Sequence, residues 1–195
     1  EDVIVNEILK KAKCNIISYG LDKGDVRAKN ISFDNKGCAT FTVCKDNKDL
    51  FEVTLSTTGK HNILNSLSTI CVGLLFNVPY DKIKEGLKEC KGAHKRFEYK
   101  GEFNGATIID DYAHHPVEIK ATLDTADLIP HKNIYAVFQP HTYTRTKTLF
   151  SEFTTCFDDV DELLLMDIYA AREKDTGIVS SDDLGNALRS KGIKC

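Results

Sequence analysis

The sequence predicts an α/β protein with a strand-rich and helical first part and a second part built on a parallel sheet. Three observations carry this expectation. Between residues 16 and 57, short apolar runs are separated by turn formers. From residue 63 the apolar period becomes helical, and beyond residue 106 short apolar runs alternate with amphipathic stretches. Alternation of the last kind implies parallel strands with covering helices.

In the first part, Asp22-Lys23-Gly24, Asp34-Asn35-Lys36-Gly37 and Lys45-Asp46-Asn47-Lys48 punctuate the apolar runs, which reads as strands joined by tight turns. Ile63, Leu64, Leu67, Ile70, Cys71, Leu74, Leu75 and Val78 then follow the i, i+3, i+4, i+7 rule of a helix. Pro79 ends that helix and opens another, with Ile83, Leu87 and Cys90 on its stripe, until Lys91-Gly92-Ala93 breaks the pattern. A domain boundary is expected there, giving domains 1–92 and 93–195. Beyond it the order is strand 106–109, helix 116–128, strand 134–138, helix 146–157, strand 163–166 and helix 181–190. The chain stops at Lys191-Gly192-Ile193-Lys194-Cys195, where an α/β domain would continue into another strand, and its first segment supplies strands with no obvious sheet to join. Both ends suggest a piece of a longer protein.

With 195 residues, 42% of them hydrophobic and 28% charged, the chain suits one good core or two small ones under a soluble surface. Net charge is −3 and no block of Lys and Arg occurs, which argues against extended nucleic-acid binding. The seven cysteines show no C-x-x-C spacing, and we read them as reduced core thiols. No apolar stretch approaches membrane-spanning length, and Glu1-Asp2-Val3 lacks the basic and apolar regions of a secretory leader. A cytoplasmic location with neither membrane nor nucleic-acid partners is expected.

Chemistry concentrates in three loops that each follow a strand-like run. They are Asp110-Asp111-Tyr112-Ala113-His114-His115-Pro116, Gln139-Pro140-His141-Thr142-Tyr143-Thr144-Arg145, and Asp167-Ile168-Tyr169-Ala170-Ala171-Arg172-Glu173. Ligands of open α/β sheets bind beyond the carboxyl ends of strands, so the three should converge. Pro116 suits the first turn of a helix. Asp110 could accept two hydroxyl hydrogens, as a ribose requires, and His114 could serve in polar recognition or proton transfer, against the alternative of an acidic helix cap with solvent-exposed histidines. A metal at Asp110, His114 and His115 is disfavoured because neither H-x-x-x-H nor H-E-x-x-H occurs. Arg145 opens a helix, where a cation opposes the macrodipole, so an anionic partner would explain it. Arg96, in Lys95-Arg96-Phe97-Glu98, could reach a phosphate or be a solvated surface cation. Asn62 and Asn65 lie one turn apart at the start of the first helix and suit a purine edge, although spacing alone favours Asn62 as a helix cap.

Gly59-Lys60-His61-Asn62-x-x-Asn65, His94-Lys95-Arg96-Phe97-Glu98 and Asp110-Asp111-Tyr112-Ala113-His114-His115-Pro116, in this order and spacing, resemble the Mur ligases of bacterial cell-wall synthesis. Phe138-Gln139-Pro140-His141-x-Tyr143-x-Arg145 and Tyr169-Ala170-Ala171-Arg172-Glu173 narrow the likeness to the members that join L-alanine to UDP-N-acetylmuramate. The resemblance covers nearly the whole chain. It implies the end of a P-loop-type central ATPase domain followed by most of a Rossmann-like C-terminal domain, and ATP-dependent amide formation through an acyl phosphate. It further implies that Asn62 and Asn65 hold adenine, Asp110 the ribose, and Arg96 the nucleotide phosphates. Tyr112 would line the nucleotide side, with His114 and Arg145 nearest the amino acid. The phosphate-binding loop, G-x-x-G-K-[ST] in type, is absent from these residues, so the chain alone is expected to be inactive. Magnesium ligands are expected upstream and none within it. Lys95 stands where the family often has a second Arg, and Thr142 where some members carry one. The alternatives are a recycling ligase that adds a tripeptide to the same nucleotide, a non-catalytic nucleotide-binding module, and a metal hydrolase using His114, His115 and His141. The recycling ligases typically carry an acid and an Arg at the positions of Gln139 and His141.

Overall fold

The structure, a computed structural model, describes residues 7–195. The reading of Glu1-Asp2-Val3 therefore lies outside the described residues. The chain divides into two compact units: residues up to Asp34 with Cys38–Lys91, and Asn35–Gly37 with Gly92–Cys195.

The first unit carries a four-stranded sheet in the order β1-β2-β3-β4, with β1 Tyr19–Gly20, β2 Val26–Phe33, β3 Cys38–Lys45 and β4 Lys48–Thr58. β1 runs parallel to β2, and the other neighbours are antiparallel. The β3–β4 turn follows from its residues: Asp46 and Asn47 take φ of 50° and 64°, as a two-residue hairpin of the right twist requires, and Lys45 pairs with Lys48. Alternation along the strands sends Val26, Ala28, Phe41, Val43, Val53 and Leu55 into the core.

Helix α1, His61–Leu75, lays Ile63, Leu67 and Ile70, all fully buried, and Cys71 against that core. Each large side chain so buried is worth about 1.5–3 kcal/mol before entropy is counted. The stripe is narrower than the sequence suggested, since Leu64 is 38% and Leu75 61% exposed. The helix also ends before Pro79. Asn77 takes a left-handed φ of 53°, its N–H donates to the Leu74 carbonyl, and that of Val78 donates to the Gly73 carbonyl. Pro79 is the N-cap of α2, Tyr80–Glu89, which adds Ile83 to the core.

In the second unit the elements are β5 Glu98–Phe103, β6 Ala106–Asp110, α3 Pro116–Asp127, β7 Tyr135–Phe138, α4 Tyr143–Thr148, α5 Phe150–Phe153, β8 Glu162–Leu165 and α6 Ser181–Ser190. β7 and β8 pair in parallel, as strand–helix alternation demands. β6 pairs antiparallel with β5 instead, across Asn104-Gly105 at φ of 49° and 81°. The expected helix over 146–157 is two short ones that meet at Leu149, whose φ of −105° and ψ of 25° are not helical. The β-branched residues Thr142, Thr144, Thr146 and Thr148 lower helix propensity there. Phe153, Phe157, Leu163, Leu184 and Leu188 form the centre of the core, with the Phe138 ring tilted against those of Phe153 and Phe157 at 5.7 and 5.3 Å.

The cysteine expectation needs correction. Cys44, Cys71 and Cys156 are buried, but Cys14 and Cys90 are exposed and Cys38 and Cys195 half-buried, all seven as free thiols. Cys90 misses the core because α2 ends one residue earlier and leaves it as the C-cap. Among the described residues, no helix is long and apolar enough to cross a membrane.

Candidate active site

In the first unit, Asn62 and Asn65 lie on the opening turn of α1. The N-cap position of α1 falls on Lys60, which makes no side-chain capping bond, so Asn62 is not the cap that its spacing favoured. Its Nδ2 instead donates back to the Thr58 carbonyl at 2.8 Å, and its Oδ1 accepts from Asn65 Nδ2 at 3.0 Å. The two carboxamides are thereby held together on one turn, and Asn65 stays exposed with its own oxygen to offer.

In the second unit, the backbone around Arg96 is unusual. Lys95 and Phe97 both take left-handed φ, 56° and 46°, a conformation that costs non-glycine residues free energy unless the surroundings hold it. Two carboxylates do so. Glu98 Oε2 accepts from the Lys95 N–H at 2.8 Å, and Asp111 Oδ2 accepts from the Phe97 N–H at 2.8 Å. Asp111 Oδ1 also accepts from the Ala113 N–H at 2.7 Å, and the Tyr112 N–H donates to the Lys95 carbonyl at 2.8 Å. The adjacent Asp110, half-buried at the end of β6, has no hydrogen-bond or ion-pair partner for its carboxylate among the described residues. The two acids of the motif thus differ: Asp111 ties the loop to the Arg96 step, while the Asp110 carboxylate is engaged by nothing among the described residues.

The start of α3 explains the histidine pair. His115, not an acid, is the N-cap: its Nδ1 accepts from the Val117 N–H, and Pro116 occupies the first turn, where its missing N–H costs nothing. Glu118 closes the capping box. Its Oε2 accepts from the N–H groups of His114 and His115 at 3.1 and 3.3 Å, and lies 3.7 Å from His114 Nδ1. Its Oε1 lies 3.8 Å from Arg96 Nη1. Partial burial pushes the Glu118 carboxyl up, but the His114 N–H and ring, the His115 N–H and Arg96 together outweigh it and hold the group below its usual value. His114 Nδ1–H donates to the Tyr112 carbonyl at 2.9 Å, which in the neutral imidazole leaves the lone pair on Nε2.

The three loops meet. The His114 ring lies 5.2 Å from that of Tyr112 and 5.9 Å from that of His141, and His141 lies 5.3 Å from Tyr169. His141 and Tyr169 form a parallel bridge beyond β7 and β8, with the Thr142 N–H donating to the Tyr169 carbonyl at 2.9 Å. Arg145 Nη1 donates to the ring Nδ1 and the carbonyl of His141, both at 3.3 Å. The macrodipole argument for Arg145 fails, because α4 has six residues and Arg145 also falls in its last turn. What places this cation is Thr142, which caps α4 at φ 70° by accepting from the Arg145 N–H, and Glu173, which accepts from the Thr144 N–H at 2.9 Å. Among the described residues, no three His, Cys, Asp or Glu side chains are grouped to hold a metal.

Residue chemistry alone did not single out Glu118, Asp111 or Glu173. The spacing His115-Pro116-x-Glu118 carried the first of these, as a capping box, and Asn104-Gly105 carried the hairpin that brings Arg96 beside the loop.

Residues 1–73 match the Mur ligase middle domain, and residues 95–194 the Mur ligase glutamate ligase domain. Relatives named UDP-N-acetylmuramate–L-alanine ligase are 69% identical in Clostridium botulinum (strain Alaska E43) and 65% identical in Clostridium beijerinckii, each across the whole of this chain. The chain spans 42% and 43% of their respective lengths. Among solved structures, the UDP-N-acetylmuramate-alanine ligase MurC of Thermotoga maritima superposes with a TM-score of 0.76 at 26% identity, over 91% of this chain and 38% of that one. The MurF ligase of the same organism, solved in complex with ADP, shares the fold with a TM-score of 0.67 at 20% identity, over 85% of this chain and 38% of its own. Since both parts of the sequence match domains of one enzyme family in that family's order, the chain belongs to the Mur ligases.

Proposed function

We propose that this chain is part of an ATP-dependent ligase that joins L-alanine to UDP-N-acetylmuramate through an acyl phosphate, in the cytoplasm, for peptidoglycan precursor synthesis. The observation that carries the reading is the 69% identity, across the whole of this chain, to a relative named UDP-N-acetylmuramate–L-alanine ligase. In this reading residues 1–92 are the C-terminal portion of the central ATP-binding domain, and 93–195 most of the C-terminal domain.

In this reading each residue, taken by its own chemistry, suits one part of a nucleotide. Asp110 offers to ribose hydroxyls a half-buried carboxylate with no partner among the described residues, and Asn65 an exposed carboxamide, oriented by Asn62, to adenine. Arg96, with 53% of its side chain exposed, offers a cation to phosphate, and Tyr112, 53% exposed, an aromatic wall. ATP supplies the phosphoryl group that activates the muramyl carboxylate. Arg145, set against His141, suits the carboxylate of L-alanine, and the Nε2 lone pair of His114 suits a proton leaving its amine. Magnesium would be held by residues outside this chain, as would the phosphates by the loop of G-x-x-G-K-[ST] type that its sequence lacks. We therefore expect no turnover from these residues alone.

The test is phosphate release from ATP and UDP-N-acetylmuramate by the parent polypeptide, with L-alanine or the wall tripeptide as acceptor. Release with L-alanine, lost in His114→Ala and Arg145→Ala, supports the reading. Release with tripeptide alone assigns the chain to the recycling ligases, and release with neither leaves a nucleotide-binding module.

A further inference from the structure

Two parts of the second unit that bear on different substrates in the proposed reaction are joined by one side chain. Arg96 stands on the step before β5, and His114 on the loop after β6, with the hairpin between them. Glu118, one turn into α3, touches both. One oxygen accepts from the His114 and His115 N–H groups, and the other faces the Arg96 guanidinium at 3.8 Å. We infer that Glu118 is a positioning residue that sets Arg96 and His114 relative to each other, linking the nucleotide-side cation to the amine-side imidazole; this rests on the roles proposed above for those two residues.

The geometry separates this from ordinary capping. A cap needs a single oxygen for the free N–H groups, and Oε2 supplies it. Oε1 is then surplus to the helix, and it is the atom that meets Arg96. The Arg96 backbone is already held by Asp111 and Glu98 through its neighbours Phe97 and Lys95, so its guanidinium is the part still to be aimed. On the other side, the His114 ring is fixed through Nδ1 to the Tyr112 carbonyl and its backbone through Glu118, which leaves Nε2 in one direction.

Two substitutions in the parent enzyme take the two oxygens apart. In Glu118→Gln the amide oxygen keeps the role of Oε2, while an NH₂ group replaces Oε1 and faces Arg96 with no charge to offer. We expect a melting temperature close to wild type, ADP affinity by calorimetry and KM for ATP weakened about three-fold, the size of an exposed ion pair, and an unchanged KM for L-alanine. Glu118→Ala removes both roles, and we expect kcat to fall at least ten-fold with KM for L-alanine raised as well. Unchanged ADP affinity in Glu118→Gln, with kcat of Glu118→Ala within two-fold of wild type, overturns the inference. So does a loss that affects every constant in proportion to the unfolded fraction and recovers on cooling, since a purely structural role predicts that pattern. ADP binding does not depend on the acceptor. If the wild type turns over only with tripeptide while the two variants still behave as expected on ADP and on that turnover, the L-alanine reading falls and the positioning role stands.

Discussion

Asp110 and Asp111 are neighbours of the same chemical type, and the structure assigns them opposite behaviour on substitution. Asp111 accepts from the N–H groups of Phe97 at 2.8 Å and Ala113 at 2.7 Å, one with each oxygen. A hydrogen bond to a charged group is worth about 1.5–3 kcal/mol, and both bonds are only partly buried, so the lower end applies. Asp111→Ala should therefore destabilise by about 3 kcal/mol, and Asp111→Asn, whose single oxygen keeps one bond, by roughly half that. At about 4–8 °C per kcal/mol for a unit of this size, the alanine variant should melt more than ~10 °C lower. Amide exchange at Phe97 and Ala113 should accelerate with it. Asp110→Asn should leave the melt unchanged, since no partner engages that carboxylate among the described residues. It should weaken ADP binding to the parent enzyme by about 30-fold, the equivalent of ~2 kcal/mol for two ribose hydroxyls. Calorimetry reads both quantities. A stable Asp111→Ala, or a destabilised Asp110→Asn with normal ADP affinity, would refute the division of labour.

Acid should expose Glu118. Its carboxyl is held below the ordinary 4.5 in the folded state, so its stabilisation is complete above that pH and is lost as pH falls through the folded value. Wild type should therefore lose stability more steeply than Glu118→Gln below about pH 4.5, as followed by urea midpoints across an acid series. Thiol reagents at neutral pH should modify Cys14 and Cys90 rapidly in the native chain and leave Cys156 untouched, because burial pushes its thiol up to about 12. Mass spectrometry of the labelled chain would read this, and rapid labelling of Cys156 would contradict the burial. Phe153→Ala, at a fully buried ring in contact with Phe138, should cost about 3–5 kcal/mol in a denaturant titration. A cost below about 1 kcal/mol would show that the core is packed differently.

Periodicity made most elements legible. The helix over 181–190 has the bounds read from sequence, because Ser180 with Asp183 opens it and Gly192, at φ 89°, closes it, and these signals are local. The strand over 106–109 was also legible, but its partner was not. Strand–helix alternation suggests parallel neighbours, whereas Asn104-Gly105 folds β6 back on β5, whose residues Glu98-Tyr99-Lys100-Gly101-Glu102-Phe103 have too little apolar alternation to be read as a strand. Arg145 misled for a related reason: an argument from helix position depends on where the helix begins and ends, and threonines shortened it.

By itself, the sequence determined the α/β class, the three chemistry-bearing loops and their resemblance to one enzyme family, because residue type, spacing and period are properties of the chain alone. Tertiary structure decided which of two adjacent acids ties the loop to the Arg96 step, that His115 caps a helix while His114 turns its ring toward His141, and that Glu118 lies between His114 and Arg96. Those distinctions depend on partners up to 27 residues away in sequence, from His114 to His141, and a partner at that separation is chosen by how the loops and α3 pack.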